Sequence, residues 1–145
     1  MPETAIRLTQ SGVASSGVLK IDQIGAGVGI ILYSSQNKIG AGLHILASKS
    51  GPKAPKNPIM YANTAIPHVL SQLKEGGVRP PFSVAIAGGA VMLGKQNTAS
   101  IGPKVVDAVK AALQSEGLQV KLDETGGSMI RCMVLDIDAG KIKIA

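Results

Sequence analysis

A chain of 145 residues suits one domain with a sizeable core, and 45% hydrophobic content with only two tyrosines, one phenylalanine and no tryptophan makes that core aliphatic. The formal net charge of +6 sits on dispersed lysines, with no RNP-type motif and almost no aromatic residue to stack on a base, which speaks against a nucleic-acid partner. No apolar run reaches the roughly 18 residues of a membrane span, no basic-then-apolar leader opens the chain, and a single cysteine forms no internal disulfide, so a cytoplasmic protein is expected.

In chain order, residues 5–8 and 18–21 read as short strands separated by a Gly/Ser-rich stretch at 11–17. The apolar runs 28–33 and 39–46 flank the connector Ser34-Ser35-Gln36-Asn37-Lys38, a hairpin pattern. The first run has no polar position from Val28 to Tyr33, which predicts a strand covered on both faces. Gly25, Gly27, Gly29, Gly40 and Gly42 punctuate this region, and glycine inside a strand marks a bulge or a close backbone approach. His44 interrupts the second run; by local pattern alone it reads as a hydrogen-bonded core residue.

Residues 48–58, with three prolines and three lysines or more polar neighbours between them, are expected to form an exposed loop without regular structure. Residues 61–75 carry Ile66, Val69, Leu70 and Leu73 on one helical stripe, with Asn63 as cap, Pro67 in the first turn and Gly76-Gly77 as the stop. Residues 82–87 read as a strand and 97–100 as a polar loop. Pro103 then opens a second helix with Val105, Val106, Val109, Ala112 and Leu113 buried and Gly117 at its end. Residues 118–122, 131–137 and 141–144 read as strands, the last two joined by a turn at Asp138-Ala139-Gly140. The order predicts a single α+β (mixed α/β) layered domain over 1–145, with β-sheets and two main helices.

The glycine clusters are not phosphate loops. Gly25-Ala26-Gly27-Val28-Gly29 precedes a strand rather than a helix, and Gly88-Gly89 lacks the Gly-Lys-Ser/Thr ending. Two histidines and one cysteine make no metal-ligand set, so no cofactor is expected. The acidic pairs Asp123-Glu124 and Asp136/Asp138 fall at strand ends or turns and read as solvated.

Six segments, in order, resemble motifs of the CheD family of chemoreceptor glutamine deamidases. The stretch Gln23-Ile24-Gly25-Ala26-Gly27-Val28-Gly29-Ile30-Ile31-Leu32-Tyr33-Ser34 resembles its GLGSCVAV-ILYD signature, and Ile39-Gly40-Ala41-Gly42-Leu43-His44 its IGGMAH segment. Tyr61-Ala62-Asn63-Thr64-Ala65 resembles the YADTA helix start, and Ala87-Gly88-Gly89-Ala90 with Met92 the GGA-x-M turn. Asn97 with Ile101-Gly102, and Thr125-Gly126-Gly127 with Arg131, complete the series. The resemblance covers nearly the whole chain and implies the CheD fold.

It also implies chemistry that this chain departs from. Family members use a cysteine nucleophile activated by a histidine, with a threonine nearby. By the resemblance His44 is the base counterpart, Gly27 stands at the position of the nucleophile, and Ile21 stands at that of the threonine. Lys104-Val105 replaces the usual Arg-Asn, and Ile130 the glycine before Arg131. Glycine has no side chain with which to attack a carboxamide. The space left at Gly27 is expected to be a small pocket or to be filled by a neighbour such as Ile21. Cys132, within an apolar run, reads as a buried small hydrophobe rather than a substitute nucleophile.

Three readings compete. The first is a CheD-like module without deamidase activity that binds chemoreceptors or a CheC-type phosphatase, the partners that the resemblance implies. Its expected surface is the apolar turn bearing Val91, Met92 and Leu93. The second is an active protein-glutamine glutaminase that uses His44 with an atypical nucleophile or water. The third, a basic nucleic-acid-binding domain, would show salt-dependent binding to DNA or RNA.

Overall fold

The computed structural model describes residues 3–48, 55–91 and 98–145. Among the described residues the strands are β1 (Glu3–Ile6), β2 (Ser11–Ala14), β3 (Val18–Ile24), β4 (Val28–Ser34), β5 (Ile39–Ile45), β6 (Ser83–Gly88), β7 (Val120–Thr125), β8 (Arg131–Asp136) and β9 (Lys141–Ile144). The helices are α1 (Ala62–Glu75) and α2 (Thr98–Ser115). They form two sheets, one ordered β2-β5-β4-β6-β7 and the other β1-β3-β8-β9. β1 runs parallel to β3 and β7 parallel to β6; the remaining neighbours are antiparallel.

The five-stranded sheet is the middle of three layers, which explains why β4 is buried along its full length. Val28, Ile30 and Leu32 face the helices, whose stripes supply Ile66, Val69 and Leu73 from α1 and Val105, Val109 and Leu113 from α2. Ile31 and Tyr33 face the four-stranded sheet, where Leu19, Ile21, Ile24, Met133 and Leu135 meet them. A two-sided strand cannot carry a polar alternation, so the continuous apolar run follows from the layering.

The glycines of the central sheet let the second sheet approach. A Cβ on Gly29 would stand 2.6 Å from Ile24 Cδ1, and one on Gly42 would stand 2.7 Å from Leu19 Cδ2. Gly40 is covered in the same way by Leu135. Large aliphatic side chains from one sheet thus rest on bare backbone of the other.

Several boundaries differ from those expected. Residues 11–14 of the Gly/Ser-rich stretch pair with β5 as an edge strand. Thr98–Ser100 belong to α2 rather than to a polar loop, so Pro103 lies inside the helix; Asn97 lies outside the described residues. Most of the 48–58 loop lies outside them too, but its end departs from irregular chain, because Pro58–Met60 forms a 3-10 turn capped by Asn57. That turn changes how α1 starts. Tyr61, not Asn63, is its cap residue and makes no side-chain cap bond. Instead the Ala62 N–H donates to the Ala47 carbonyl at 3.1 Å, so chain following β5 satisfies a helix donor from a distance in sequence.

Candidate functional site

The site is assembled from two neighbouring strands and the turn between β3 and β4. β5 places Gly40, Gly42 and His44 in succession on the face opposite Ala41, Leu43 and Ile45, which pack under the helices. His44 therefore looks toward the four-stranded sheet, and it is 3% exposed. Its Nδ1 has no hydrogen-bond partner among the described residues.

Gly27 ends the β3–β4 turn, one residue before Val28 pairs with Ile45. A Cβ built on Gly27 stands 3.7 Å from His44 Nε2, so the two positions face each other. The same Cβ stands only 2.5 Å from the Ile45 carbonyl oxygen. The expected pocket is thus absent, and the filler is backbone from β5, not Ile21. Ile21 is fully buried, with its methyls 3.3 Å and 3.4 Å from the Cβ positions of Gly29 and Gly42. It belongs to the packing between the sheets.

Glycine backbone locks this turn in place. The Gly89 N–H donates to Gly27 O at 2.8 Å, the Ala90 N–H to Gly25 O at 3.0 Å, and the Gly126 N–H to Gly88 O at 2.9 Å. Arg131 closes the group by donating from Nη1 to Gly126 O at 2.8 Å. The resemblance had singled out Gly88-Gly89 in one motif and Gly126-Gly127 with Arg131 in another; tertiary structure makes them one scaffold under Gly27. Val91 joins it, its N–H donating to Gly127 O, and its side chain is 37% exposed. Met92 and Leu93 lie outside the described residues. Sequence reasoning missed Met129 and Ile130, which follow Gly127 in the chain and are 71% and 57% exposed.

His44 also lines a cleft of about 560 Å³ together with Arg7, just past β1, and Lys20, Asp22 and Gln23 of β3. Asp22 and Gln23 sit where the pairing of β3 with β8 shifts register between Ile21 and Ile24. Nothing in the local sequence marks that bulge. Cys132 is not on this cleft wall. It is half-buried rather than buried, beside Asp22 and Lys20, and burial followed by the Asp22 charge pushes its thiol pKa up. A raised thiol pKa leaves little thiolate for nucleophilic work. Asp123 is engaged by Lys110 Nζ at 3.0 Å and by the Thr125 hydroxyl at 2.6 Å, and Asp136 accepts the Ala139 N–H in the β8–β9 turn.

Burial pushes the His44 pKa down from 6.5 to about 4. The imidazole is neutral at pH 7, and its stabilising neutral form is fully retained only above the unfolded-state pKa. As pH falls from 6.5 towards 4, the unfolded chain takes up a proton that the fold refuses, so stability drops. The full loss is about 3 kcal/mol. Urea unfolding from pH 7 to pH 4.5 should show a steeper fall for the wild type than for His44→Gln; parallel curves would remove His44 as the cause.

The comparisons with known proteins agree with the motif series. Residues 45–145 match the family model described as CheD chemotactic sensory transduction. The chain is similar to a probable chemoreceptor glutamine deamidase CheD of Methanococcus vannielii, with 40% identity over 142 residues covering 96% of this chain and 92% of that protein. It is also similar to a protein of the same description from Methanococcus maripaludis, with 32% identity over 141 residues covering 96% of this chain and 92% of that one. A third relative, the chemoreceptor glutamine deamidase CheD of Thermotoga maritima, is 32% identical over 129 residues, covering 88% of this chain and 81% of that protein. No helix among the described residues is long and apolar enough to cross a membrane.

Proposed function

The chain belongs to the CheD family of chemotaxis proteins, and on that premise we propose that it has given up cysteine-dependent deamidation and serves as a binding module. The observation that carries this reading is the Ile45 carbonyl, 2.5 Å from where the first side-chain atom at position 27 would stand. Gly27 is not a cysteine site with its sulfur deleted; the backbone has closed on the position. His44 keeps the place of a base but has no nucleophile to deprotonate. Hydrolysis by water activated at His44 is disfavoured by the same burial, since an imidazole with a pKa of about 4 is a weak base at neutral pH.

The partner in this reading is a chemoreceptor, the substrate in the relatives' descriptions, or a CheC-type phosphatase. It docks on the exposed apolar side chains Val91, Met129 and Ile130, on the two segments joined by the Val91 N–H to Gly127 O bond, and on Met92 and Leu93, which follow Val91 in sequence, because exposed apolar side chains favour protein contact. The test uses a chemoreceptor cytoplasmic fragment, with the Thermotoga maritima relative as positive control. The wild-type chain should capture the fragment and yield no amide-to-acid conversion by mass spectrometry. Ile130→Asp should weaken capture about tenfold or more while leaving the melting curve unchanged, as expected for an anchor at an interface centre. Ammonia release that disappears in His44→Ala would overturn the proposal.

A further inference from the structure

Arg131 opens β8 half-buried, and no carboxylate answers its charge. All nine acidic side chains lie among the described residues, and the ion pairs formed there are Lys20–Asp22 and Lys110–Asp123. The guanidinium is held from one side. Nη1 donates to Gly126 O at 2.8 Å and reaches Gly88 O at 3.5 Å, so its hydrogens are spent on backbone carbonyls. Nη2 and Nε make no hydrogen bond among the described residues. The fully buried side-chain polar atom left without a partner there is His44 Nδ1, so Nη2 and Nε stand open to water. A Cβ on Gly127 would lie 3.3 Å from Nη2, and Gly127 has φ +71, so bare left-handed backbone keeps the approach to that nitrogen clear.

Taking a charge partly out of water costs free energy that a paired anion offsets. The planar edge of Nη2 and Nε fits a carboxylate through two parallel hydrogen bonds. The surroundings say what carries that carboxylate. Residues 88–93 and 125–130 contain no other charged side chain, so the site suits one negative charge, whereas a phosphate dianion calls for a second cation. The Val91 N–H to Gly127 O bond sets Val91 beside this loop, and Met129 and Ile130, the two residues before Arg131, are exposed apolar side chains. A lone cation among exposed apolar groups has the make-up of an interface centre, where arginine anchors are enriched. We propose that Arg131 is a carboxylate-reading anchor: it receives a single Asp or Glu side chain, flanked by apolar residues, from a protein partner. This rests on the binding-module reading and names the partner's chemistry. A second copy of this chain is a poor source, since each copy carries a formal net charge of +6.

The probe is the peptide N-acetyl-Ala-Leu-Glu-Leu-Ala-amide, titrated into the full chain at neutral pH. It is read in NMR by the Arg131 side-chain N–H resonances and the methyls of Met129 and Ile130. The same peptide with Gln in place of Glu, and inorganic phosphate, are the controls. The Glu peptide should bind about tenfold or more tightly than either control and shift all three residues together. Arg131→Lys keeps the charge but not the two-bond edge, and should bring the Glu and Gln peptides within about threefold of each other. The wild-type comparison carries the test even where loss of the Gly126 bond unfolds that variant. Equal affinity of the two peptides for the wild type, or no binding of either, overturns the role of Arg131. Tighter binding of phosphate overturns the protein source, and Arg131 shifts on concentrating the chain alone assign the site to a second copy and overturn it likewise. In each of these cases, capture of the chemoreceptor fragment that survives leaves the binding-module reading standing; that reading falls separately, on ammonia release.

Discussion

Gly27→Cys should destabilise the fold and restore no measurable deamidation. The new Cβ would stand 2.5 Å from the Ile45 carbonyl oxygen, a backbone atom in the middle of three layers. Relief requires the β3–β4 turn or the end of β5 to move, and forced overpacking of this kind costs about 1–3 kcal/mol. Either movement also spoils the 3.7 Å approach to His44 Nε2 that would have let the sulfur and the imidazole meet. Gly27→Ala should cost nearly as much, since the clash begins at Cβ. Adding Ile21→Thr supplies the other side chain that the family resemblance implies, but it removes a fully buried isoleucine from between the sheets. A cavity plus a hydroxyl there costs about 2–4 kcal/mol more. The double variant is therefore the better equipped for chemistry and the less stable. Urea unfolding beside a deamidation assay reads both effects. A Gly27→Cys chain as stable as the wild type would show that the close approach is not what the site is built on.

Gly88→Ala should be severely damaging, costing more than about 4 kcal/mol, a range reached by few point changes. Two penalties coincide there. Gly88 has φ +115, where an L side chain is strained by about 1–3 kcal/mol. Its Cβ would also press on the Gly27 carbonyl oxygen and lie 2.5 Å from Ile24 Cγ2. The same turn accepts the Gly126 N–H and supports Gly27 through the Gly89 N–H, so the scaffold loosens with it. Gly117→Ala is the control: φ is +73 but nothing lies within 4 Å of its Cβ, so only the backbone penalty of about 1–2 kcal/mol remains. Equal losses in the two variants would show that crowding at Gly88 contributes nothing.

What local order can specify was legible. The α1 stripe of Ile66, Val69 and Leu73 and the α2 stripe of Val105, Val109 and Leu113 are periodic patterns, and both helices bury those residues. The β4–β5 hairpin and the β8–β9 turn read directly from apolar runs around polar connectors. β2 did not, because Ser11-Gly12-Val13-Ala14 has weak strand propensity and pairs only by virtue of β5 beside it. The start of α1 was misassigned for a similar reason: the group that satisfies its Ala62 N–H is the Ala47 carbonyl, which no capping pattern announces.

The sequence by itself determined the aliphatic layered domain and, through its motif series, the family, because residue type and spacing are local properties. Tertiary structure alone decided how His44, Gly27 and Ile21, the positions that the resemblance implies, are placed. It set the Ile45 carbonyl against Gly27, sent Ile21 into the packing between Gly29 and Gly42, and turned His44 towards a cleft bordered by Asp22 and Gln23. The physical reason is that each of these depends on the distance between strands paired or stacked far apart in sequence. That distance is set by which side chains the facing backbone leaves out.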